Sequence, residues 1–248
     1  MRFSSLTSGE GVAEQLFALG EIPGVLWTPL DCAGPRPLIV LGHGGGQHKK
    51  APGVVSRAHH FVREGGFAAV AVDAPNHGDR PKDEEFARMT TENRARMVAG
   101  EDMAAQLADL HTLLARQSVP EWRAVVTAVQ ELEHVGTGPV GYWGMSMGCG
   151  LGIPFVAADP RVRAAVLGLS GQLGLAESAA RITAPVQFLM QWDDRWVARA
   201  QSLALFDALA SAEKTLHANA GNHGDVPDFE TDDCLRFFAR HLRYDPSP

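Results

Sequence analysis

The apolar run Gly138-Pro139-Val140-Gly141-Tyr142-Trp143 leads without a break into Gly144-Met145-Ser146-Met147-Gly148, and a segment able to form a helix follows. A Gly-x-Ser-x-Gly between a buried strand and a helix leaves the chain little freedom. The small residues let it reverse tightly, and the turn lifts the Ser146 hydroxyl to the end of a sheet strand. The same order occurs upstream, where Pro37-Leu38-Ile39-Val40-Leu41 runs into Gly42-His43-Gly44-Gly45-Gly46. Residues 54–63 then have helical spacing, Gly65-Gly66 would stop that helix, and residues 67–72 form another apolar strand. These strands are apolar throughout, as a parallel sheet covered by helices on both faces requires.

The remaining elements extend this βαβ pattern. An early strand is predicted over residues 20–28, ending near Pro29, whose missing N–H disfavours an interior strand position. A long helix is predicted over residues 90–116, with Met97, Met103, Leu107, Leu110 and Leu114 along it. Pro120-Glu121-Trp122 should interrupt it, leaving residues 125–132 as a separate helix. That connection exceeds a minimal crossover, so a helical segment within 85–135 could cover a site as well as pack on the sheet. Further strands are expected over residues 162–169, 184–190 and 214–218, and helices over 203–209 and 234–242. The expected fold is α/β: one domain over residues 1–248, with a central, mostly parallel twisted sheet flanked by helices.

Composition narrows the function classes. Twenty-nine acidic side chains against 22 basic ones give a net charge of −7, which supplies no electrostatic footprint for nucleic acid. Cys32, Cys149 and Cys234 are too few and too scattered for a disulfide framework or a zinc ribbon and are expected as free thiols. The N-terminal residues lack the pattern of a secretory leader, and no apolar run approaches spanning length, so a cytoplasmic location without a membrane partner is expected. Periodicity does not express an oligomeric state.

A serine hydroxyl needs a base within hydrogen-bond reach, and the base needs a group that orients it. His223, in the polar turn Asn222-His223-Gly224 beyond the last expected strand, is the best-placed base for Ser146. Asp193 and Asp194 follow the strand before it and are adjacent candidates for the orienting carboxylate, which spacing barely separates. Asp225, Asp228, Glu230, Asp232 and Asp233 all follow His223 and are read as surface or helix-start residues. Acyl transfer also needs donors where oxyanion charge develops. The N–H of Met147, just after the serine, and the N–H of Gly45, with Gly44 beside it, are the candidates. Gly42 to Gly46 lacks the ending of a phosphate-binding loop. His43, His48, His59, His60, His77, Asp73 and Asp79 crowd the first third of the chain but match no metal-ligand spacing, so no metal and no cofactor are expected. Trp192 and Trp196 flank the acidic turn and, with Gly44, are the candidate substrate-binding residues for a small molecule with an apolar or aromatic portion.

Leu41-Gly42-His43-Gly44-Gly45, Asp73-Ala74-Pro75-Asn76-His77-Gly78, the Ser146 pentapeptide, Asp193-Asp194 and Asn222-His223-Gly224 together resemble the α/β-hydrolase superfamily over nearly the whole chain. The Asp-x-x-x-His-Gly turn is similar to that of its dienelactone-hydrolase-like and small bacterial serine esterase branch. The resemblance implies an eight-stranded, mostly parallel sheet and the order nucleophile, acid, histidine. The family's Gly-x-x-Asp-x-x-Val, matched by Gln191 to Val197 with Gln191 in the glycine's place, points to Asp194 over Asp193. It also implies serine-dependent hydrolysis of a carboxylic ester through an acyl-enzyme, without a cofactor. Thioester, lactone or amide hydrolysis and biosynthetic acyl transfer or cyclisation are the alternatives on the same fold, and a noncatalytic binding protein is the least favoured.

Overall fold

The computed structural model describes residues 1–30 and 34–242; Cys32 lies outside the described residues. An antiparallel stretch comes first, with β1 (Arg2–Gly9), β2 (Val12–Leu19) and β3 (Ile22–Pro29). β4 (Leu38–Gly42), α1 (Pro52–Gly65) and β5 (Ala68–Val72) then form the first βαβ unit. Pro52 starts α1 at a position where a missing N–H costs nothing, and Gly66, at φ 66°, ends it in the left-handed conformation. α2 (Glu84–Val98) and α3 (Ala104–Gln130) lead to β6 (Val140–Met145), α4 (Met147–Ala158) and β7 (Val162–Gly168). The chain closes with α5 (Ala176–Ala179), β8 (Val186–Gln191), α6 (Arg199–Ala208), β9 (Lys214–Asn219) and α7 (Phe229–His241).

The sheet has nine strands among the described residues, in the order β1-β2-β3-β5-β4-β6-β7-β8-β9. Pairing is antiparallel from β1 to β5 and parallel from β5 to β9. β4, β5, β6 and β8 are buried along their whole length, because helices cover both sides. On one side Tyr142, Phe155, Trp122 and Val126 join a core shared with α3 and α4; on the other, Trp27, Phe61, Trp143 and Phe238 join α1 and α7. The mostly parallel α/β architecture agrees with the sequence reading.

Three expectations are corrected. The sheet has nine strands rather than eight, because the polar β1, exposed at every residue, adds a ladder to β2 that apolar periodicity does not signal. The helix expected over residues 90–116 is two helices, broken around Gly100, which adopts φ 78°. Pro120 does not interrupt the second: α3 passes through it unbroken, so residues 125–132 are not a separate helix. Within 85–135, α3 packs along α4, whereas α2 buries only Phe86 and Asn93.

Candidate active site

Ser146 sits between β6 and α4 at φ 56° and ψ −122°, a backbone conformation that L residues rarely adopt and that surrounding structure must hold. Its N–H donates to the Gly168 carbonyl at the end of β7 (3.0 Å), and its carbonyl accepts from the N–H groups of Cys149 and Gly150 at the start of α4. The flanking glycines are required by contact. A Cβ on Gly144 would stand 2.5 Å from the Gly148 oxygen, and one on Gly148 would stand 2.6 Å from the Gly42 oxygen.

β9 ends at Asn219 and the chain loops back through His223. Nε2 of His223 lies 2.9 Å from Ser146 Oγ, and Nδ1 lies 2.6 Å from Asp194 Oδ2. Asp194 Oδ1 accepts from the N–H groups of Trp196 (2.8 Å) and Val197 (3.0 Å), so the carboxylate is held at both oxygens. Burial raises the Asp194 pKa, but the hydrogen bond and charge of His223 and the two amides outweigh it and hold the carboxyl below its ordinary value. Asp193 faces away: its Oδ2 accepts from the Gly221 N–H at 3.1 Å, and its own N–H donates to the Gly221 carbonyl.

Sequence reasoning missed the brace behind this loop. Gln191, 1% exposed, donates through Nε2 to the carbonyls of Asp225 (2.8 Å) and Ala220 (3.3 Å), clamping the loop on both sides of His223. Its one sequence signal was the departure from glycine at that position. Glu230, read as a surface or helix-start residue, is in the first turn of α7 but is buried at 2% exposure, against His217 and Asn219 of β9.

His43 organises the opposite wall. Its Nε2 accepts from the Ala74 N–H at 3.0 Å, so Nδ1 carries the proton and donates to the Gly44 carbonyl at 2.9 Å. A trans peptide directs the N–H of Gly45 opposite to that carbonyl. A Cβ on Gly45 would lie 3.9 Å from Met147 Cβ, so the glycine turn and the start of α4 run side by side. Met147 is in the first turn of α4, where N–H groups have no helical acceptor. Burial pushes the His43 imidazole down to about 4, with the Gly44 carbonyl opposing, so the ring is neutral at pH 7.

Among the early acidic and histidine residues, Asp73, Asp79, His43 and His77 are tied into structure. Asp73, fully buried, accepts from Lys49 N and Nζ and from Asp79 N. The rings of His43 and His77 pack 5.2 Å apart, and His77 packs on Phe86 of α2. Burial pushes the Cys149 thiol up to about 12, which keeps it protonated.

Of the tryptophans, Trp196 reaches the site. Its ring tilts over His223 at 4.7 Å between centroids, about half exposed, beside a cavity of about 280 Å³ lined by Arg195, Trp196, Asn222, His223 and Gly224. Trp192 does not line that cavity; it carries the Arg199 guanidinium 3.8 Å above its ring. Gly44 adjoins Gly45, its Cα facing Gln47.

No family model and no curated protein matches the chain. Among solved structures it is similar to a cold-adapted esterase from an Arctic intertidal metagenomic library, in a complex with polyethylene glycol, at 32% identity and a TM-score of 0.79, covering 98% of this chain and 100% of that one. Acetyl xylan esterase from Paenibacillus sp. R4 shares the fold at 17% identity and a TM-score of 0.70, over 96% of this chain and 88% of that one. Dienelactone hydrolase from Anabaena variabilis shares it at 19% identity and a TM-score of 0.63, over 93% and 99%. With the strand order, the elbow and full-length similarity in agreement, the chain belongs to the α/β-hydrolase superfamily, in its esterase and dienelactone-hydrolase-like branch.

Proposed function

We propose that this chain is a serine carboxylic ester hydrolase acting on a small or medium, uncharged substrate through an acyl-enzyme. The observation that carries the reading is the unbroken relay from Asp194 through His223 to Ser146, at 2.6 and 2.9 Å. His223 Nε2 takes the hydroxyl proton as Ser146 Oγ attacks the ester carbonyl, and the Gly45 and Met147 N–H groups receive the oxyanion. Collapse of the tetrahedral intermediate breaks the bond to the alcohol oxygen, and His223 returns the proton to it. Water, deprotonated by the same imidazole, then attacks the acyl carbon and releases the acid and free Ser146. Asp194, ionised and held by two amides, keeps Nδ1 protonated and stabilises the imidazolium.

In this reading the cavity beside His223 would receive the leaving alcohol, and the open face of Trp196 suits an apolar or aromatic leaving group. Gly44 belongs to the wall that receives the carbonyl end of the substrate, and Trp192, braced by Arg199, would form an outer rim. Residues 1–248 act as one domain, with the exposed α2, joined to the site through Phe86 and His77, as the covering segment.

The same apparatus serves thioesters, lactones and amides, so the bond is identified by turnover. A chain-length series of p-nitrophenyl esters, with product masses determined, should show hydrolysis by the wild type that Ser146→Ala lowers by about 10⁵- to 10⁶-fold. Turnover that survives the substitution would overturn the serine mechanism. Transfer of the acyl group to an acceptor other than water would replace the hydrolase reading with an acyltransferase.

A further inference from the structure

His217 on β9 and Glu230 and Asp233 on α7 bring one ligand atom each to within 4.8 Å of one another, the one such trio among the described residues. Glu230 Oε2 lies 2.8 Å from His217 Nδ1, and Oε1 accepts from Asn219 Nδ2 at 2.8 Å. Asp233, about a quarter exposed, also accepts from Arg236 at Oδ1.

The burial of the Glu230 carboxyl group is the observation that needs an explanation. Its side chain is 3% exposed, and no lysine or arginine among the described residues forms a salt bridge with it; its two contacts are a neutral amide and an imidazole. A carboxylate withdrawn from water requires a positive partner. The first turn of α7 offers only a partial positive charge, and a cation joining the group would supply a full one. His217 and Asp233 are each about a quarter exposed, so the group meets solvent on these two side chains.

We propose that His217, Glu230 and Asp233 bind a zinc-type divalent ion, with water completing the coordination. One imidazole nitrogen and two carboxylate oxygens are the donor set of a borderline ion, whereas calcium and magnesium take oxygen alone. Asn219 fixes the Glu230 carboxylate from behind, as outer partners do for metal ligands. The placement gives the ion a structural consequence. His217 and Asn219 precede His223 and Glu230 and Asp233 follow it, so the cluster closes the base of the loop that carries His223. Binding here would tie the edge strand β9 to α7 and hold that loop down. Uptake of the ion does not depend on the chemistry of Ser146.

The test is zinc titration of the chelator-stripped full chain, read by calorimetry and thermal unfolding, alongside His217→Ala and Asp233→Asn. One equivalent is expected to bind the wild type and raise its melting temperature, and each substitution should weaken that equivalent by about tenfold or more. His48, His59 and His60 remain in every variant, so zinc held by unrelated surface histidines would persist in them. Equal uptake by His217→Ala, or no uptake by the wild type at micromolar zinc, would overturn the proposal.

Discussion

At the scale of single residues, the site is built by groups whose geometry fixes their protonation. His43 is neutral because it is buried, and neutral in the tautomer that Ala74 imposes, which lets it grip the Gly44 carbonyl. That arrangement has a measurable pH signature. The folded-state pKa is lowered from 6.5 to about 4, so between those values the unfolded chain binds a proton that the folded one refuses, and stability falls as pH drops from 6.5 towards 4. At about pH 5 this amounts to about 2 kcal/mol relative to neutral pH. Asp73 and Asp194 act in a lower window: their pKa values are depressed, so their contributions persist above 3.8 and are lost as pH falls through the folded values. Urea unfolding at about pH 7.5 and pH 5 should show a smaller loss in His43→Asn than in the wild type, although the variant starts less stable. An identical loss in both would contradict a neutral buried His43. These roles were only partly legible in sequence. The motif located His43 beside the glycine turn, but the tautomer depends on Ala74, which lies 31 positions away and comes alongside only when β4 and β5 pair.

At the scale of elements, the strands were legible because β4 to β8 are short apolar runs that a buried parallel sheet demands, and each ends in a turn rich in glycine or polar residues. β1 and β2 were not, since the edge strand β1 is held by its backbone ladder and β2 buries only Val12 and Phe17. Pro120 shows how packing decides a helix against local preference. A proline inside a helix costs about 3 kcal/mol. Downstream, Trp122, Val125, Val126 and Val129 are all buried, each contributing about 1.5–3 kcal/mol, and Trp122 stacks on Tyr142 beneath the elbow. Their sum exceeds the penalty, so α3 continues. Because Pro120 itself is exposed, Pro120→Ala should restore a donor for the Arg116 carbonyl without opening a cavity. The expected gain is about 1–2 kcal/mol in urea unfolding, after allowing for the greater freedom of the unfolded chain. A loss of stability would mean that the proline ring shapes α3 rather than being tolerated by it.

At the scale of the whole molecule, the sheet delivers the three relay residues from the ends of three different strands. Ser146 follows β6, Asp194 follows β8 and His223 follows β9, which places them together although 77 positions separate the serine from the histidine. Chain order nominated Ser146 and His223, whereas only the family's acid motif separated Asp194 from Asp193. What they could not express was the three-dimensional bracing, in which Gln191 and Asp193 hold the His223 loop while Glu230 holds the end of β9 that leads into it. In the proposed mechanism the adjacent aspartates divide the work: Asp194, bonded to His223, orients the imidazole, and Asp193, bonded to Gly221, fastens the loop that presents it. The most direct test is kcat for p-nitrophenyl ester hydrolysis by Asp194→Asn and Asp193→Asn, each confirmed as folded. The account predicts a loss of about 10⁴-fold for Asp194→Asn and of no more than about tenfold for Asp193→Asn. Near-normal turnover by Asp194→Asn, with inactivation by Asp193→Asn, would contradict it.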